Sequence, residues 1–132
     1  MKKRTILLLM ASLLALVLGA CGFLDILILD HSHQDYSLLL TYVGGTEGGG
    51  IGTSFDQVDR VVSENPADTL LAFFDLGSAK MNLKMVTDFS DKSIIINRVP
   101  IVEGAYNAAA LLQAGAELSV IQIQLAELEI NK

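Results

Sequence analysis

Cysteine occurs once in this chain, histidine twice, and basic residues nine times against fifteen acidic ones. The lone Cys21 has no partner for an internal disulfide, which excludes a disulfide-held framework within the chain. With only His31 and His33 beside it, the ligand count of a structural zinc site is missing. The His-x-His pair, set between Asp30 and Asp35, is a weak metal signal, so no metal is expected and His33 is read as a solvated loop residue. The formal net charge is −6, and setting aside Lys2, Lys3 and Arg4 leaves six basic residues against fifteen acidic, a net of −9. Such a surface is a poor match for nucleic acid and a better one for basic partner proteins, because opposite fields speed encounter. No Gly-Lys-Ser/Thr closes a Walker loop, and the Rossmann glycine spacing is absent.

What is there begins with "MKKR" followed by "TILLLMASLLALVLGA", residues 5 to 20, which carry no charge. A basic start, an apolar stretch shorter than a bilayer-spanning helix and a small-residue tail "LGAC" resemble a bacterial lipoprotein signal whose lipidated residue is Cys21. The alternative is a buried first helix or strand. Residues 1–22 are therefore read as a leader and 23–132 as one domain, since a chain of 132 residues can bury roughly two thirds of its unfolded surface in a single core.

Beyond Phe23, short apolar runs alternate with stretches of helical period. "FLDILILD", "LLLTYV", "TLLAFFD" and "SIIINRV" read as strands, the last closed by Pro100. "TSFDQVDRVVSEN" places Phe55, Val58 and Val62 on one helical face behind a Thr53 or Ser54 cap, and "SAKMNLKMVTDF" does the same with Ala79, Leu83 and Val86. "GAYNAAALLQAG" reads as a helix ended by Gly115, and Leu118, Ile121, Leu125 and Leu128 mark a last one whose stripe suits core or a partner face. Strand and helix in alternation predict an α/β fold with a mostly parallel central sheet flanked by helices.

In such sheets the working groups gather at the carboxyl ends of strands. Asp30 and His31 end the first strand, the glycine-rich segment 44–54 follows the second, Asp75 follows the third, and "VPIVEGA" follows the fourth. Glycines let backbone N–H groups converge on an anion, and Gly52, Thr53 and Ser54 lead into a helix, as Gly77 and Ser78 do; the segment reads equally as a flexible loop. Asp75 can hold one imidazole nitrogen and leave the other nucleophilic, or it can cap the next helix.

"GGIGTSFDQV", "LLAFFDLGSAKMNL" and "VPIVEGAYNAAALLQAGA" resemble, in the same order, the phosphotransfer subunits of phosphoenolpyruvate-dependent dihydroxyacetone kinases, members of the mannose-type IIA family of the bacterial sugar phosphotransferase system. The resemblance runs from about Gly44 nearly to the C-terminus. It implies a phosphotransferase subunit, usually a homodimer, that accepts a phosphoryl group from phospho-HPr. The subunit passes that group to ADP bound on the kinase subunit, and it has no cofactor of its own. It also implies a carrier histidine at the end of the first strand, which falls on His31 in Asp30-His31-Ser32, with Asp75 as its orienting carboxylate. Imidazole suits the task, since much of it is neutral and nucleophilic near neutral pH.

Between His31 and the glycine segment the chain has only "SHQDYSLLLTYV", where relatives have room for a helix and a second strand. About six residues then remain for a crossover that takes roughly a dozen, so the first crossover helix is expected to be missing or shortened. The short segment adjoins the leader, and together they read as a rearranged N-terminal part ahead of an ordinary family domain. The relay function belongs in the cytoplasm with its donor; the alternative is a membrane-anchored lipoprotein held through Cys21. Intact-mass measurement separates the two: the cytoplasmic reading expects an unprocessed chain with a free thiol at Cys21, and a membrane-fraction chain beginning at a lipidated Cys21 overturns it.

Overall fold

The run "TLLAFF" has no polar face, and a strand built from it must be covered on both sides. The computed structural model, which describes residues 26–30 and 40–130, places it at the centre of a four-stranded sheet. Along the chain come β1 (Ile26–Asp30), β2 (Leu40–Val43), α1 (Phe55–Glu64), β3 (Thr69–Phe74), α2 (Gly77–Phe89), β4 (Ser93–Asn97), α3 (Ile101–Gln113) and α4 (Leu118–Ala126). The order across the sheet is β2-β1-β3-β4.

Alternation along β3 divides the core. Leu70, Ala72 and Phe74 join Ile26, Ile28 and Val43 under α1 and α2, which contribute Val58, Val62, Ala79, Leu83 and Val86. Leu71 and Phe73 join Leu29 under α3 and α4, with Ala105, Ala108, Ala109, Ile121 and Leu125. The result is a three-layer α/β/α domain, and the helical faces expected from Val58–Val62, Ala79–Leu83–Val86 and Ile121–Leu125 are those that are buried. None of the described helices is long and apolar enough to cross a membrane.

The α/β class is as the alternation predicts, with one difference in strand direction. β3 and β4 are parallel, whereas β1 is antiparallel to both β2 and β3. Three strands therefore point one way and β1, between two of them, points the other. Nine residues separate Asp30 from Leu40, too few for the crossover of a parallel pair and sufficient to return the chain antiparallel. The short connection anticipated in the sequence thus has a topological outcome: β1 is reversed.

Local chemistry sets the helix ends. The Ser54 side chain caps α1 by accepting from the Gln57 N–H at 3.4 Å. Pro100 does not close a strand; it occupies the N-cap position of α3, so Ile101, Val102 and Glu103 are already helical and the expected "VPIVEGA" loop is shorter. At the other end of α3, Gly115 takes φ 77°, its N–H bonds to Leu112 O and that of Ala116 to Leu111 O, a Schellman ending. The turn between α1 and β3 is tied from across the fold by Lys92, whose ammonium donates to the carbonyls of Asn65 and Ala67 at 2.5 and 2.8 Å.

α3 lies close on the sheet because it presents Gly104, Ala105, Ala108 and Ala109. A Cβ on Gly104 would overlap Val99 Cγ2 and press the Phe73 ring at 3.3 Å. Gly104→Ala is expected to lower the unfolding free energy by about 1–3 kcal/mol through overpacking, read from the urea midpoint. An unchanged midpoint counts against this account of the α3 contact.

Candidate phosphoryl-transfer site

Because β2 and β3 point the same way, the segments leaving them emerge at one sheet edge. From β2 comes the glycine-rich loop. Its base is closed by a parallel bridge between Gly45 and Thr53, and its interior by Thr46, whose N–H donates to Gly50 O at 3.0 Å and whose Oγ1 accepts from the Gly50 N–H at 2.9 Å. Gly49 (φ 77°) and Gly52 (φ 130°) hold backbone conformations that side chains rarely adopt, so the loop's shape needs glycine at both. From the loop the chain passes through Thr53 to Ser54, the N-cap of α1, whose hydroxyl also donates to Glu47 Oε1 at 3.5 Å.

From β3 comes Asp75, which is exposed. Leu76, not Asp75, holds the N-cap position of α2, and its side chain supplies no hydrogen bond there. Asp75 thus stands two residues before the start of α2 at Gly77. Lys80, one turn on, lies 5.9 Å over the Phe74 ring. The two loops are joined by Asn82, whose Nδ2 donates to Thr53 O at 2.7 Å. Neither Asn82 nor Thr46 stood out in the sequence: an amide in a helix interior and a threonine among glycines carry no periodic signal.

The structure therefore gathers Gly52, Thr53 and Ser54 with Asp75, Gly77 and Ser78 at one edge, as the strand-end rule anticipates. His31, His33 and Cys21 lie outside the described residues. The residue before His31 is described in its backbone. Asp30 ends β1 in register with Leu70, while the start of β1, Ile26, is in register with Phe74. Asp30 was expected to share the edge of Asp75. The reversed β1 sets its backbone instead at the opposite end of β3, five residues or ~17 Å away along the strand. Among the described residues, no three His, Cys, Asp or Glu side chains gather as metal ligands.

Comparison with known proteins defines the class. The family model described as the PTS system fructose IIA component, EIIA-man, matches residues 26–122, and the chain belongs to this family. Among particular proteins, it is 53% identical over 96 residues to the phosphotransferase subunit DhaM of the PTS-dependent dihydroxyacetone kinase of Lactococcus lactis, covering 73% of this chain and 78% of that protein. It is 48% identical over 92 residues to the phosphoryl donor subunit DhaM of the PEP-dependent dihydroxyacetone kinase 1 of Listeria innocua, covering 70% and 74%.

The Ser54 hydroxyl caps α1 through the Gln57 N–H. Ser54→Ala is expected to cost about 1 kcal/mol on chemical denaturation, the usual effect of losing an N-cap. A change below a few tenths would show that the cap contributes nothing to α1.

Proposed function

We propose that this chain is a phosphoryl relay of a dihydroxyacetone kinase. His31 accepts the phosphoryl group from phospho-HPr and passes it to ADP bound on the kinase subunit, for phosphorylation of dihydroxyacetone. The observation that carries this reading is the meeting of the glycine loop, Asp75 and the start of α2 at one sheet edge, in a chain about half identical to two phosphotransfer subunits. The names of those relatives supply the kinase. Exposed apolar side chains near that edge, Ile51 (84% exposed) and Met81 (69%), offer contact to partner proteins.

On loading, the imidazole lone pair attacks phosphorus as the donor's bond to phosphorus breaks and its electron pair leaves with the donor; on unloading, an ADP phosphate oxygen attacks the same phosphorus as the N–P bond breaks and its electron pair returns to the imidazole. Backbone N–H groups at Thr53, Ser54, Gly77 and Ser78 face the charge that spreads over the three equatorial oxygens. Asp75 orients the ring by holding its second nitrogen. The phosphoryl group is carried covalently, so the chain needs no bound cofactor or metal. In this reading the protein is a cytoplasmic homodimer of the 23–132 domain.

The position of Asp30 favours a second reading, in which the chain is a non-catalytic binding or structural module, anchored through Cys21 as a lipoprotein. The relay requires the imidazole of His31 and the carboxylate of Asp75 to meet, and β1 runs away from Asp75. Incubation with radiolabelled phosphoenolpyruvate, enzyme I and HPr decides between them. The relay reading expects acid-labile label that is abolished in His31→Ala and slowed at least about ten-fold in Asp75→Asn. No label on the parent chain leaves the second reading, and label that survives in His31→Ala overturns the assignment of the carrier to His31.

A further inference from the structure

We propose that the uncharged stretch 5–20 docks on the exposed apolar row of α2 and covers the site edge in the unprocessed chain. The docking stands on geometry and charge; its effect on transfer rests on the relay reading above. Met81, Met85 and Phe89 of α2 are exposed. They stand four residues apart, so they form one row along a helix whose other face, Ala79, Leu83 and Val86, lies in the core. Ile51 in the glycine loop and Leu76 ahead of α2 add exposed apolar surface at the site end of that row.

The reversed β1 decides which segment can reach the row. Ile26 is in register with Val43 on one side and Phe74 on the other, the residues after which the glycine loop and Asp75 leave the sheet. The chain ahead of Ile26 is therefore tethered at the site edge, and residues 21–25 allow a reach of at most ~18 Å. The sixteen residues of 5–20 span about 24 Å at the rise of a helix and about 53 Å extended. α2, thirteen residues long, spans about 20 Å, so either form covers the row from Met81 to Phe89. Laid along α2 from its start, the segment brings Lys2, Lys3 and Arg4 to the far end of that helix. There Asp88 and Asp91 are exposed, the last helical carbonyls carry partial negative charge, and the last turn has no basic residue. Length, direction and charge match this one occupant. A short tether gives it an effective concentration on the order of mM, and burying the two apolar surfaces against each other removes both from water. While docked, it competes with partner proteins for Ile51 and Met81.

Hydroxyl-radical footprinting of the full chain, its mass confirmed as unprocessed, tests the docking at Met81, Met85 and Phe89. The parent is compared with Leu9→Asp/Leu14→Asp, which places charge in the apolar stretch, and with Asp88→Lys/Asp91→Lys, alone and combined with Lys2→Glu/Lys3→Glu/Arg4→Glu. Modification of the three residues is expected to be at least about five-fold slower in the parent than in Leu9→Asp/Leu14→Asp, with the buried Phe73 equally protected in both as the check on folding. Reversing Asp88 and Asp91 is expected to raise modification, and the combined charge swap to restore part of the protection. Equal modification in the parent and Leu9→Asp/Leu14→Asp overturns the proposal. So does protection that grows with protein concentration, which assigns the row to a second copy. Labelling from phospho-HPr is expected to start at least about three-fold faster in Leu9→Asp/Leu14→Asp than in the parent, and equal rates overturn the covering of the site. If neither chain takes label, the relay reading fails by itself and the footprint still decides the docking.

Discussion

Leu70 to Phe74 of β3 have no face toward water, and the rest of the domain follows from that constraint. A strand buried on both sides needs two helical layers and a neighbour along each edge. The chain supplies α1 and α2 on one face, α3 and α4 on the other, β1 on one edge and β4 on the other. The backbone of β3 must be fully paired, since unpaired polar groups at that depth cost free energy comparable to a lost hydrogen bond. Its end is then fixed in space, and Asp75 leaves the sheet at a point set by the burial of the strand before it.

The second constraint is a matter of chain length. β2 and β3 lie on either side of β1 and run in the same direction, joined by the crossover through α1. A parallel β1 would need a crossover of its own to reach β2, and nine residues do not provide one. The antiparallel return satisfies the ladder on both sides of β1 and buries Ile26, Ile28 and Leu29 as well as a parallel strand would. Hydrophobic burial is indifferent to strand direction; the position of a catalytic side chain is not. The same five residues complete the core while carrying Asp30 to the edge opposite Asp75.

The glycine loop answers a different requirement. A loop rich in glycine loses much conformational freedom when it is ordered, and only fixed contacts offset that cost. Thr46 closes it internally, the Gly45–Thr53 bridge closes its base, and Asn82 joins its exit to α2. The tip, with Ile51, stays exposed. The loop is thus anchored at its base and exit, beside two helix starts, while its tip faces outward.

Much of this was legible in the sequence. Periodicity marked the buried faces of α1, α2 and α4, the glycine ended α3, and the alternation of strands and helices gave the α/β class, because each is a local pattern enforced by burial or by a single backbone conformation. The motifs around Thr53, Asp75 and Glu103 carried the family, and the strand-end rule brought Gly52–Ser54 and Gly77–Ser78 to one edge. Strand direction, the identity of Leu76 rather than Asp75 at the cap of α2, and the bond from Asn82 to Thr53 were settled only by the tertiary structure. Each depends on which distant segments meet. An apolar strand satisfies its neighbours equally well in either direction, and a helix-interior amide declares its role only when a carbonyl 29 residues away is brought to it.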